Sequence, residues 1–471
     1  MSVYVIQNLV SEGLMKKHAR SLSTAIILGL LGLGALGLSS CATPIPSGLS
    51  STNTMPPLRQ RVDAASRVLQ DAVDKNIAAG FAIALTDSTG KTEKAFVGLA
   101  ARETNQAIDN DTVYRLYSMT KPITAVAIMM LVEDGKIDLD APLATYIPSF
   151  AAAKVYVSGD TMATLQTAPM ARALTVRDLM RQSAGMPYLG AAKPVEKLFF
   201  AAGIERAPGE AVAGLTGRRV ANLQELADRV AATPLSSQPG AIFTYGSAID
   251  VLGRVVEVAS GQTLGAFFQA RIFAPLSMTH TAFNVLPADI GHLANGYFSK
   301  SPKPVVNTFL GNTPLSEVAT SALTIADAGA TSIYNAPARI EFGGSGLVGT
   351  LDDYVRFAAL IANNGTLDGK RLLKAETITE MGRDQLSFVA SERLRKDGRS
   401  YGLGFGRIID PVLSHSGAPV GTMFWAGAAG TYFWANPATK ESGVLMTQVF
   451  GDNLGIYHGA AIRAAHGLAV N

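Results

Sequence analysis

Ser118 and Lys121 stand three residues apart just ahead of an apolar run, 123–132, in which Thr124 is the one polar residue. On a helix that spacing puts both side chains on one face with their heads in reach of each other. A run apolar on every side predicts a helix buried all round. A lysine at its mouth is then expensive unless its ammonium is paired or its pKa falls. The helix dipole acts the same way, disfavouring charge on Lys121 and favouring an alkoxide developing on Ser118. Pro122 fits only near a helix N-terminus, which sets Ser118 at the helix mouth. The chemistry this pattern offers is nucleophilic attack by a serine whose proton acceptor lies one turn away. A second copy of the spacing, Ser88-Thr89-Gly90-Lys91, falls between two strand-like runs and predicts a hairpin turn instead.

Partners for Ser118 are sought downstream. The segment 238–247 ends in Tyr245-Gly246-Ser247 and runs straight into a helical pattern, so Tyr245 and Ser247 can both face one cleft. Held against Lys121, Tyr245 would be a phenolate-like base or the companion of a neutral amine. Tyr297 and Ser299 repeat the spacing without the helix. A rival serine, Ser400, sits in Gly398-Arg399-Ser400-Tyr401-Gly402 and matches the nucleophile elbow G-x-S-x-G. A charged run precedes it and a strand-like run follows, the reverse of the elbow's context, so Ser400 is expected in a solvated loop. The six histidines form no metal-binding pair, the single cysteine allows no thiolate cluster, and no phosphate-binding glycine loop is present. No metal and no cofactor are expected.

The elements that would position these residues follow from periodicity. Helical spacing over 58–73 precedes two strand-like runs, 80–86 and 92–98. The helix after Ser118 ends at Gly135, and another begins at Thr175, which or whose neighbour caps it. Residues 191–240 alternate helix and loop, 247–259 and 264–272 are helical, and 290–340 is loop-like. Gly343-Gly344-Ser345-Gly346-Leu347 leads into a helix over 351–363. Strands return over 401–409, 423–425, 431–435 and 443–449, and a helix over 459–469 ends the pattern. Strands at both ends with helices between predict an α+β lobe made by both termini, with a helical lobe inserted.

Ser118-x-x-Lys121, Tyr245-x-Ser247 and Trp425-Ala426-Gly427, in that order, resemble the motifs of serine β-lactamase-related hydrolases of the class C type. Among them the branch called family VIII carboxylesterases is the most similar. The segments 174–187, 343–347 and 423–437 share the resemblance, which spans roughly residues 58 to 470. It implies a β-lactamase/transpeptidase-like α+β fold, a mixed, mainly antiparallel sheet flanked by helices with an inserted helical domain. The hydrolase domain would cover 58–471, its α/β lobe 58–117 with 340–471 and its helical lobe 118–339. By the same resemblance Ser118 is the nucleophile of an acyl-enzyme, and Lys121 and Tyr245 share general-base and general-acid work. The backbone N–H groups of Ser118 and of Ala428, next to Gly427, would form the oxyanion hole, and Ser247 would orient substrate or Lys121.

Two departures shape the functional expectation. Penicillin-recognising members carry asparagine at the Ser247 position and Lys-Thr-Gly or His-Thr-Gly at the third motif, where this chain has Trp425. A lactam or D-Ala-D-Ala carboxylate wants that cation, whereas an ester with an apolar arm suits an indole wall. The expectation is a carboxylesterase acting on a small-molecule ester or amide. The alternatives are a β-lactamase or DD-peptidase, with Arg407 replacing the missing cation, and a catalytically idle, lipid-tethered protein that binds cell-wall ligands.

Composition bounds the partners. In 471 residues, 48% hydrophobic and 16% charged, the formal charge of +3 comes largely from Lys16, Lys17 and Arg20. The remainder is close to neutral and predicts no nucleic-acid partner. Residues 15–20 form a basic stretch and 25–38 an apolar one that stops at Leu38-Ser39-Ser40-Cys41, which resembles a lipoprotein lipobox. The expectation is a signal peptide over 1–40 with its natural start at Met15, a lipidated Cys41, and a tether over 41–57 rich in Ser, Thr and Pro. The apolar stretch is short for a transmembrane span, so membrane contact is expected through the lipid alone. With Ala42 after the cysteine, the expected location is extracytoplasmic, at the periplasmic face of the outer membrane.

Overall fold

The computed structural model describes residues 55–470 apart from 160, 162, 189–193, 205–218, 303, 305–312, 339, 388–390 and 452. The expected leader, Cys41 and most of the tether lie outside the described residues. Among those residues no helix is long and apolar enough to cross a membrane.

Alternation along one strand sets the layers. In β1 (Gly80–Thr86) every residue is buried. Phe81, Ile83 and Leu85 enter one core and Ala82 and Ala84 another, as a period of two requires of a strand covered on both faces. β1 pairs with β2 (Thr92–Ala101), which pairs with the short β3 (Gln106–Ala107). The remaining strands come from the far end of the chain: β4 (Arg399–Tyr401), β5 (Gly406–Ile408), β6 (Met423–Ala426), β7 (Tyr432–Asn436) and β8 (Glu441–Met446). Their order is β4-β5-β6-β7-β8-β1-β2-β3, antiparallel at each of these pairings. The seam between β1 and β8 joins the first strand among the described residues to one of the last.

Helix α1 (Leu58–Asp74) buries Val62, Ala65, Leu69 and Ala72 and keeps Arg59 and Arg67 in water. It lies with the C-terminal helix Leu454–Ala465 over the face that carries Phe81, Tyr432 and Trp434. The opposite face, with Phe433 and Val444, packs on the helix Leu351–Ala362 and on the helical region beyond. Two helices dominate that region: α2 (Thr120–Glu133), buried from Thr120 to Leu131, and α3 (Ala248–Ser260) packed beside it. The turn Asp87–Lys91 closes the β1–β2 hairpin, with the Asp87 carboxylate accepting from the Thr89 and Lys91 amides. The second Ser-x-x-Lys copy therefore lies in a turn.

Two expectations are corrected. The loop-like stretch 290–340 contains the strands Gly296–Lys300 and Ala322–Asp327, which form a three-stranded sheet with Val449–Gly451. These strands are short and half-exposed, and the parallel partner lies about 150 residues away in sequence, so local periodicity carries little of their signal. Ser400 is not in a solvated loop but is buried in β4, opposite Arg407, with its Oγ donating to Asp384. Arg395, one of the charges ahead of it, is turned onto the same carboxylate at 2.7 Å.

Two histidines sit in the sheet–helix layer with no partner for Nε2 among the described residues: His458 beside Tyr432 and His466 beside Trp434. Burial pushes both down to about 4. A folded-state pKa below the unfolded value of about 6.5 means that the unfolded chain binds protons first as pH falls. Stability is therefore expected to drop between about pH 6.5 and 4, by on the order of 3 kcal/mol per histidine at the limit. Urea unfolding at pH 7.5 and 5.0 checks this, and His458→Leu with His466→Leu should flatten the dependence.

Candidate active site

The strand Val113–Arg115 pairs with Val348–Thr350 and delivers the chain to Ser118 at the mouth of α2. Leu116 N–H donates to the Leu347 carbonyl (2.9 Å), and Leu347 N–H donates to Thr120 Oγ1 (3.2 Å), so the entry is tied on both sides. At the second position of α2, one turn on from Ser118, Lys121 is completely buried. Its Nζ donates to Ser118 Oγ (3.1 Å), to the Tyr188 hydroxyl (2.7 Å) and to the Gly344 carbonyl (2.6 Å). Ser118 itself is half-buried.

Gly343 and Gly344 make the third of these contacts possible by wedging between α2 and α3. A Cβ on Gly343 would lie 2.9 Å from the Ile249 carbonyl, and one on Gly344 would lie 2.7 Å from Asp250 Oδ2. Thr124 Oγ1 donates to the Gly343 carbonyl at 2.6 Å, and the Asp250 carboxylate accepts from Gly344 N–H at 2.7 Å. Asp250 is fully buried on the first turn of α3, close enough to Lys121 for each charge to act on the other. Burial lowers the Lys121 pKa to about 7, against the pull of the Asp250 charge, which favours the ammonium. Burial also raises Asp250, with Lys121 opposing it.

Tyr245 donates to Ser118 Oγ at 2.9 Å. Its segment is hung on a strained residue: Gln182, with φ of +57°, accepts Thr244 N–H on its carbonyl (2.7 Å) and Gly246 N–H on its side-chain oxygen (3.2 Å). Gly246 has to be glycine, since a Cβ there would meet the Met186 carbonyl at 1.8 Å. Burial raises the Tyr245 pKa, so the phenol is neutral and is a donor rather than a phenolate. Its ring meets Tyr188 edge-on at 5.4 Å and Trp425 at 5.4 Å, and Trp425 in turn meets Tyr401 at 5.0 Å.

The third motif arrives on β6. Gly427 turns the chain so tightly that a Cβ would lie 2.4 Å from the Leu116 carbonyl and 2.1 Å from Thr431 Oγ1. That contact holds Ala428 against the residues just before Ser118, and the Ala428 N–H has no acceptor among the described residues. Ser118, Lys121, Tyr245, Trp425, Gly427 and Ala428 are thus gathered at one place. Ser247 is adjacent but its buried Oγ has no partner among the described residues, and the side chain that acts on Lys121 is Asp250, one turn further on. Arg407 donates to the Gly382 carbonyl. Tyr188, Asp250 and Gln182 were not singled out from the sequence. Asp250 had a signal of its own, an acid inside the apolar stretch Ala248-Ile249-Asp250-Val251-Leu252.

A serine hydroxyl between a buried amine and a buried phenol can lose its proton to the first and receive one from the second. Fold and site define a serine hydrolase. Residues 65–466 match the family described as Beta-lactamase, and the chain belongs to that family. It is 31% identical over 358 residues to esterase EstB from Burkholderia gladioli, covering 74% of this chain and 81% of that one. It is 30% identical over 304 residues to lovastatin esterase from Penicillium rubens, covering 63% and 68%. Among solved structures, EstCE1, a hydrolase with promiscuous acyltransferase activity, aligns with a TM-score of 0.66 at 23% identity, over 86% of this chain and 99% of its own. Simvastatin synthase (LovD) from Aspergillus terreus aligns with a TM-score of 0.66 at 20% identity, over 86% and 98%.

Lys121 can accept the Ser118 proton only when it is itself neutral. kcat/KM for an activated ester is therefore expected to rise with pH through about 7. Asp250→Asn removes the negative charge that favours the ammonium while leaving an amide oxygen for Gly344 N–H, and should move this limb to lower pH. A limb that stays in place in Asp250→Asn would assign it to another group.

Proposed function

We propose that the protein is a carboxylesterase that works through an acyl-enzyme on Ser118. Neutral Lys121 takes the Ser118 proton as Oγ bonds to the ester carbonyl carbon. The negative charge moves onto the carbonyl oxygen, where the Ser118 and Ala428 N–H groups stabilise it by a few kcal/mol per donor. As the carbonyl re-forms, the carbon–alkoxy bond breaks and the departing oxygen takes the Tyr245 proton. Ser118 Oγ, now acylated, has no proton to relay, so Lys121, whose Nζ lies 4.9 Å from the Tyr245 ring centroid, returns its proton to the phenolate directly or through the incoming water. Water then repeats the sequence on the acyl-enzyme, giving its proton to Lys121 and releasing the carboxylic acid.

The observation that carries this reading over a lactamase is Trp425. At the place where lactam-recognising relatives present a cation, an indole packs against Tyr245 and Tyr401. Arg407, the residue considered in place of that cation, donates from its guanidinium to the Gly382 carbonyl. Small-molecule esters are also the substrates that the names of EstB and lovastatin esterase point to.

Ser118→Ala should abolish hydrolysis of p-nitrophenyl butyrate in a protein that still folds, and a fluorophosphonate should label the parent but not the variant. Retained hydrolysis would remove Ser118 as nucleophile, and an unlabelled parent would favour an idle binding protein. A turnover of a chromogenic cephalosporin well above that of the ester would replace the esterase reading by the lactamase one.

For location, we propose a mature chain that starts at lipidated Cys41 and is held at the periplasmic face of an outer membrane by that anchor alone. The reading is supported by the lipobox-like run into Cys41, the only cysteine in the sequence. Cys41→Ser should leave kcat/KM of the enzyme unchanged but abolish the acyl mass that mass spectrometry finds on the N-terminal peptide. An unmodified Cys41 in the native protein would sink the idea.

A further inference from the structure

The residue immediately before Ser118 is unusual. Tyr117 has φ of +45°, a left-handed backbone that a bulky side chain adopts only when its surroundings hold it there. Its ring meets Phe450 edge-on at 5.7 Å, and Phe450 meets Phe298 at 5.6 Å. Phe450 and Phe298 are register partners across the parallel pair of the three-stranded sheet, so their side chains stand on the same face. Phe298 is 47% exposed, and both Tyr117 and Phe450 are half-buried. Three aromatic rings thus form a chain of contacts that begins at the residue next to Ser118 in sequence and ends at the exposed Phe298. It is separate from the other aromatic group of the site: among the described residues none of the three meets the rings of Tyr188, Tyr245, Tyr401 or Trp425.

We propose that Tyr117, Phe450 and Phe298 form the subsite for the acyl arm of the substrate, and that it selects esters whose acyl group is a chain longer than butyryl or an aryl group. The assignment rests on the esterase reading and says which half of the ester goes where. The departing alkoxy oxygen must face Tyr245 to receive its proton, so the alcohol half lies toward Tyr245 and Trp425. The acyl substituent leaves the carbonyl carbon in the other direction. Among the described residues, the aromatic surface left for it is the shelf that begins at Tyr117. An apolar arm laid there removes exposed aromatic surface from water in the acyl-enzyme as well as in the first complex.

The test is the ratio of kcat/KM for p-nitrophenyl octanoate to that for p-nitrophenyl acetate, which holds the leaving group constant. The enzyme should favour octanoate. Phe298→Ser and Phe450→Ser should each cut the ratio about tenfold, the scale on which apolar pockets discriminate. Phe298→Leu, which keeps an apolar surface, should restore most of it. A matched series of acetyl esters with lengthening alcohols should keep its profile in these variants. An unchanged octanoate-to-acetate ratio in both serine variants would overturn the proposal. So would an equal loss on both esters, the mark of a structural effect, or a parent enzyme with no preference for octanoate. Each of those results leaves the esterase reading standing, whereas a parent that hydrolyses none of the esters removes both.

Discussion

A lysine taken completely out of water is a liability of several kcal/mol unless its charge is neutralised, paired or given up, and much of the site answers to that constraint at Lys121. The helix that carries it is buried through three turns, so solvent offers the ammonium nothing. What replaces water is a serine hydroxyl, a tyrosine hydroxyl, a carbonyl exposed by two consecutive glycines, and a carboxylate on the neighbouring helix. Each substitute comes from a different stretch of chain. Lys121 therefore acts as the point where strand–helix junction, helical region and glycine turn are forced into one geometry, and Ser118 inherits its position from that geometry.

The sheet supplies the counterpart. Because β1 pairs with β8, the C-terminal strands are fixed relative to the segment that leads into Ser118. The turn after β6 can then approach the Leu116 carbonyl to a distance that only a glycine at position 427 permits. An amide placed this way is preorganised, because moving it would mean moving the sheet. Electrostatic stabilisation of a developing oxyanion depends on donors that do not have to reorganise, and backbone groups at the end of a packed strand meet that condition better than side chains on a loop.

Local pattern carried the part of the site that lies on one helix and its approach. Ser118 and Lys121 share a helix face, so spacing brought them forward, whereas Tyr245, at a helix start, stood out only in combination with them and with the Trp425 motif. Tyr188 and Gln182 reach the site through a loop whose course is decided by Gly246 packing on the Met186 carbonyl, a tertiary contact with no local signature. Asp250 could have been found by the argument used for Lys121, since an ionisable group inside an apolar helix needs a partner. The α+β order was legible in the strand-like runs at both ends. The small sheet over 296–300, 322–327 and 449–451 was not, because each strand is short and its partners are distant in sequence. Ser400 misled through its charged neighbours, which fold back on Asp384 rather than into water.

The division of labour between Lys121 and Tyr245 has a single physical origin. Burial penalises whichever form of a group is charged. For an amine the charged form is the acid, so burial makes Lys121 a better base at neutral pH. For a phenol the charged form is the base, so the same burial keeps Tyr245 protonated and makes it a donor. Trp425 acts on this split in two senses: its ring packs on Tyr245, while its indole N–H pulls the Tyr245 pKa part of the way back down without undoing the effect of burial. A lysine or histidine cation in its place would favour the phenolate and add to the cost of protonating Lys121, shifting base work toward the tyrosine. The residue at position 425 therefore bears on more than the shape of the substrate pocket. With no second cation at that position, burial sets a lysine that gives up its proton readily beside a phenol that keeps its own.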